Sequence, residues 1–102
     1  MKIYNKLVRD NIPNMIKKKG EPCATETLSD KEFQIELEKK LQEECKEYLS
    51  NKEPQELADI LEVTYAIAKT KGISEKELNT IRKDKATRNG KFDKKILLIS
   101  AN

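Results

Sequence analysis

Two pairs of acids, Glu44 with Glu47 and Glu56 with Asp59, recur at i, i+3 spacing on either side of a turn that contains Pro54. On a helix this spacing keeps each pair on one face. If the two helices run antiparallel across a short turn, all four carboxylates can surround one point. Carboxylates held close together repel one another and call for a cation, and an all-oxygen donor set suits a hard divalent ion. Magnesium takes oxygens at about 2.0–2.1 Å, keeps several waters, and commonly links carboxylates to substrate phosphates. Such an ion acidifies water and neutralises phosphate charge, so hydrolysis can proceed without histidine. The chain has none, which excludes Ser-His and Cys-His catalysis. Glu62, one turn beyond Asp59, fits a fifth ligand, a nearby base or a solvent-exposed acid.

The same acids also fit a solvated face with salt bridges, because 18 acids in 102 residues generate E-x-x-E pairs by composition alone. Lys85 and Arg88 are equally ambiguous. They suit phosphate contacts, and they suit snorkelling side chains favoured by the dipole at a helix end. Tyr48 and Tyr65 read as core.

The elements that must position these groups are helices. Ser29-Asp30-Lys31-Glu32 has the capping-box pattern and opens a helix to about Ser50, with a stripe of Phe33, Leu37, Leu41, Cys45, Tyr48 and Leu49. With Leu41 at the origin of the wheel, Glu44 lies about 60° away and Glu47 and Lys40 about 100–120° away on the same side, while Glu43 faces the opposite way. Asn51-Lys52-Glu53 makes a turn into a helix from Pro54 to Lys71, stopped by Gly72. That helix is apolar on nearly every side from Leu57 to Ala68, the pattern of the innermost member of a bundle.

Ser74 to Glu77 is a second capping box, opening a last helix that ends near Arg88-Asn89-Gly90, with Leu78 and Ile81 facing inward and Lys85 and Arg88 continuing their stripe. A short first helix is expected to be capped by Asp10 or Asn11, with Pro13 in its first turn, and to run from there to Lys19. Residues 20–28 read as loop or extended. The opening KIYNKLV reads as a short strand or arm. The closing Ile96-Leu97-Leu98-Ile99 reads as a strand beside that arm, or as a strip packed on the bundle or on a partner chain.

Length and the absence of linker-like stretches predict a single domain over residues 1–102. The formal charge of +3 is spread along the chain, so it does not argue for nucleic acid or an anionic membrane. No apolar run approaches the ~20 residues of a membrane span, and Met1-Lys2-Ile3-Tyr4 leads into no signal-peptide core, so a cytoplasmic protein is expected. Cys23 and Cys45 are isolated, suggesting neither a disulfide framework nor a zinc site.

LQEECKEYLSN followed by PQELADILEVTYAIA resembles the E-x-x-E and E-x-x-D motifs of the MazG-like all-α nucleoside triphosphate pyrophosphohydrolases. The ends of the chain, YNKLVRDNIP and KATRNGKFDKKILL with its R-x-G-x-F element, resemble those of a short single-domain subgroup described as phosphoribosyl-ATP pyrophosphohydrolase-like. The resemblance implies an all-α antiparallel bundle of about four helices, assembling as a homodimer or homotetramer. It implies Mg²⁺-dependent cleavage (Mn²⁺ being the alternative ion) between the α- and β-phosphates of a nucleoside triphosphate, in a house-cleaning role. Carried over by position, Glu44, Glu47, Glu56 and Asp59 take the metal-ligand and catalytic role, with Glu44 or Glu47 as a candidate base. Lys40, Lys85 and Arg88 take the phosphate-binding role, and Lys6, Arg9 and Asp10 match a subgroup motif near nucleotide or subunit contacts.

Two departures stand out. Only eight residues separate Glu47 from Glu56, and Lys91 stands where relatives often have a second glycine. The alternatives are the phosphoribosyl-ATP reaction of histidine biosynthesis and a non-enzymatic helical interaction module.

Overall fold

Each of the two serine boxes starts a helix. In the computed structural model, which describes residues 2–102 and leaves Met1 outside, Ser29 precedes α2 (Asp30–Asn51) and Ser74 precedes α4 (Glu75–Asn89). Each serine Oγ accepts from the backbone N–H three residues on, Glu32 at 3.2 Å and Glu77 at 3.1 Å. Each then donates its hydroxyl to that glutamate's carboxylate, at 2.9 and 3.0 Å. An otherwise unpaired amide at the helix start is thereby satisfied. Pro54 opens α3 (Pro54–Thr70), and Pro13 sits in the first turn of α1 (Ile12–Lys18). Asn11 is the cap residue of α1, but its side chain makes no capping hydrogen bond. Gly72, at φ +76°, follows α3 as expected.

The chain is all-α, with four helices and no strand among the described residues. Lys52 adopts the left-handed conformation after α2, and its N–H returns to the Tyr48 carbonyl at 2.7 Å. The two-residue link Lys52-Glu53 then reverses the chain, so α2 and α3 pack antiparallel. This pair is the centre of the molecule, and α4 packs on α3 alone. The Tyr65 hydroxyl meets the Asn79 side-chain amide across that second contact at 3.4 Å.

Several packing expectations are corrected. Among the described residues, only Leu37, Val63 and Ala68 form a buried apolar core. Leu57 and Leu61 are each 50% exposed, so α3 is not surrounded within the chain. The reason is the number of neighbours: an all-round apolar helix needs cover on every side, and among the described helices only α2 and α4 pack on α3. Leu49 on α2 and Ile81 on α4 are exposed as well, whereas Phe33, Leu41, Cys45, Tyr48 and Leu78 are half-buried. The closing segment forms neither a strand beside the amino-terminal arm nor a strip on the helices; Ile96, Leu97, Leu98 and Ile99 are exposed. Cys23 and Cys45 are free thiols. No helix among the described residues is long and apolar enough to cross a membrane.

Candidate metal centre

The antiparallel hairpin brings Glu44 of α2 together with Glu56 and Asp59 of α3. One carboxylate oxygen from each lies within 4.8 Å of the others. Glu44 is the one buried charged residue of the chain among those described, and Glu56 and Asp59 are half-buried. Three carboxylates in partial isolation from water raise one another's energy unless positive charge is near.

Two cations and one amide supply part of that compensation. Lys40, one turn before Glu44 on α2, places Nζ 3.3 Å from its carboxylate. Arg9, in the arm ahead of α1, reaches across fifty positions to Asp59 at 2.7 Å, with its other terminal nitrogen 3.9 Å from Glu62. Glu56 has a neutral partner, the side-chain amide of Asn51, which donates to it at 3.2 Å. Asn51 also uses its oxygen to accept the N–H of Glu53 at 2.9 Å. The residue that shapes the turn therefore also orients a site carboxylate. Three acids against two direct cations leave a formal deficit of positive charge at the group.

Lys40 also serves a neighbouring cluster. Glu43 accepts from Lys6 at 3.3 Å and from Lys40 at 3.4 Å. Burial alone raises the pKa of Glu43, but Lys6 and Lys40 outweigh it and hold the carboxyl below its ordinary value. This pairing ties the arm to α2 and lines a cleft of about 60 Å³ with Lys6, Lys39, Lys40, Glu36 and Glu43.

Of the expected site residues, then, Glu44, Glu56 and Asp59 converge, with Lys40 and Arg9 touching them and Lys6 one step removed. Glu47 is exposed on α2 and is not part of the convergent group. Glu62 stands beside Arg9 with its side chain 64% exposed, outside the group. Lys85 and Arg88 are exposed on α4 and take part in no ion pair among the described residues.

Two contributors escaped sequence reasoning. Asn51 was legible as a turn residue but not as a hydrogen-bond donor to Glu56, although an asparagine five residues before an acid across a proline turn is a usable signal. Lys39 stands next to Lys40 in an E-K-K run, and its place beside the cleft, paired with Glu36 at 2.9 Å, has no signal in the sequence that separates it from its neighbour. Compared with known proteins, the chain matches no family model, no curated protein and no solved structure.

Proposed function

We propose that this chain is a divalent-metal-dependent nucleoside triphosphate pyrophosphohydrolase, cleaving between the α- and β-phosphates to release a nucleoside monophosphate and pyrophosphate. The observation that carries this reading is the convergence of Glu44, Glu56 and Asp59 from two adjacent helices. The donor set fits Mg²⁺. Oxygens around an octahedral ion at about 2.1 Å stand about 3 Å apart when adjacent and about 4.2 Å apart when opposite, so spacings within 4.8 Å need only small side-chain adjustments. Mn²⁺ accepts the same oxygen donors.

Glu44, Glu56 and Asp59 would hold the ion, and Glu47, exposed one turn on along α2 and outside their group, is the remaining ligand candidate. When bound, the ion supplies charge to the polyphosphate and acidity to water. The chain's own residues divide the remaining work. Asn51 orients Glu56, Lys40 offsets the buried Glu44, and Arg9 balances Asp59. Lys6, Lys39 and Lys40 line the adjoining cleft, where each is paired with Glu36, Glu43 or Glu44 and would have to exchange that partner to meet a phosphate oxygen. Lys85 and Arg88, exposed on α4, are further phosphate-binding candidates. Glu44 or Glu47 takes the general-base role, accepting the proton of the attacking water. The working form is a homodimer or homotetramer in the cytoplasm, and the two free thiols suit that reducing compartment.

The test is pyrophosphate release from a panel of canonical and modified nucleoside triphosphates, with and without Mg²⁺. Wild type is expected to release pyrophosphate only with metal, and Asp59→Asn and Glu44→Gln to lose at least ~100-fold in turnover. Glu47→Gln discriminates its role: a comparable loss makes it a ligand or base, and near-normal turnover removes it from the site. Failure of every nucleotide to yield pyrophosphate, in a folded sample with either ion, would sink the proposal.

A further inference from the structure

A single copy of this chain leaves far more surface in water than a compact protein of its mass. Its accessible surface is 9448 Å², whereas a folded monomer of 11.8 kDa exposes about 5,900 Å². Its radius of gyration is 17.8 Å, against about 13 Å for a compact chain of about 100 residues. The excess, about 3,500 Å² per chain or about 7,000 Å² over a pair, is more than the roughly 2,000–5,000 Å² that an obligate homodimer buries over both partners, so one interface can cover a part of it.

Exposed apolar side chains occur along the whole chain, from Ile3 and Tyr4 in the arm through Leu49 on α2 to Phe92, and two groups among them are contiguous and complementary. The first is a stripe on α3. At about 100° per residue, Leu57, Leu61 and Ala68 fall within about 40° of one another around the helix. Ala68 is buried at the end where the chain turns into α4, while Leu57 and Leu61 are half exposed. The stripe is thus covered at one end and bare at the other. The second place is the closing segment, where Ile96, Leu97, Leu98 and Ile99 are 77–84% exposed. It is an apolar strip with no surface of its own chain beneath it.

We infer that the closing segment of one copy docks on the Leu57–Leu61 stripe of α3 in a second copy, making a reciprocal interface. One chain carries both the strip and the stripe, so two copies related by a two-fold axis cover each other's exposed surfaces at once. A foreign partner seated on either surface would leave the other in water. Mixed charge spread along the chain sets no strong repulsion against self-association. The inference deepens the self-assembly named above and rests on that part of the reading, not on the hydrolase chemistry.

Sedimentation velocity on the full chain at micromolar concentration tests the assembly, and isotope-resolved cross-linking tests the surfaces. Wild type is expected to sediment as a dimer or a larger multiple of it. Leu97→Asp/Leu98→Asp and, separately, Leu57→Asp/Leu61→Asp are expected to raise the dissociation constant about 100-fold. For the second measurement, light and heavy-isotope chains are refolded together and treated with a lysine-reactive cross-linker. Mixed-isotope pairs joining Lys94 or Lys95 to Lys52 would place the segment on the partner even if a variant failed to fold. A wild-type dimer that lacks those pairs and is unaffected by the tail variant would overturn the docking while leaving self-assembly standing. A wild-type monomer throughout would overturn both, and neither result would bear on pyrophosphate release.

Discussion

Arg9 and Glu43 illustrate how much of the site depends on single ionic contacts between the arm and the helices. Arg9 is attached to Asp59, and Lys6 to Glu43, so two basic residues of one extended segment secure it across the α2–α3 pair. Glu43 is expected to give this attachment a pH dependence. Its folded-state pKa lies below the ordinary value of 4.5 because Lys6 and Lys40 outweigh the opposing effect of burial. A depressed carboxyl contributes stability that is fully present above the unfolded value and disappears as pH falls through the folded one. Thermal midpoints of wild type and Glu43→Gln, measured as a function of pH, should therefore differ by a constant amount above about 4.5 and converge below it. A gap that stays constant to the acid limit would mean that the Lys6 and Lys40 contacts do not persist in solution. Arg9 was readable in the sequence as one position of a motif, but its partner was not. Asp59 is fifty residues away, and neither helical periodicity nor local spacing carries information over that distance.

At the scale of elements, helix starts and stops were the most legible part of the chain, because each rests on chemistry within four residues. Ser29, Ser74, Pro54 and Gly72 all mark the boundaries that their types suggest. The same local logic placed four carboxylates around one point; the two-residue link does make the helices face each other and brings Glu44, Glu56 and Asp59 together, while Glu47 stays exposed outside the group. Exposure was less legible. The apolar runs of Leu57 to Ala68 and Ile96 to Ile99 state which side chains gain by burial, but not whether the chain itself supplies the cover.

The Lys52 turn offers a direct test of how the hairpin is held. A non-glycine residue at φ +60° carries a steric penalty that glycine avoids, partly offset by glycine's greater freedom in the unfolded chain. Lys52→Gly should stabilise the protein by about 0.5–1 kcal/mol in urea denaturation. A loss of stability would mean that the lysine side chain contributes more than its backbone costs, for example through its position 5.7 Å from the Tyr48 ring centroid.

For the whole molecule, a core of three buried apolar residues among those described and an extended shape make the isolated chain marginal. If association supplies the missing burial, folding and assembly are linked by mass action, and the melting temperature should rise with protein concentration. Circular dichroism melts over a hundredfold concentration range, about two decades, would reveal it. A midpoint that does not move would assign all of the stability to the single chain.

The short link between α2 and α3 also has a kinetic meaning. Glu44 and Asp59 belong to one hairpin of near neighbours in sequence, whereas Arg9 must close a loop fifty residues long to reach the same group. Local contacts form early and distant ones late, because each long loop closes against its own entropy. On the ribosome the acidic group would therefore assemble after Thr70 has emerged and would already hold its negative charge when the arm comes to rest on it. Arg9 is then drawn to a finished electrostatic target and takes no part in building it.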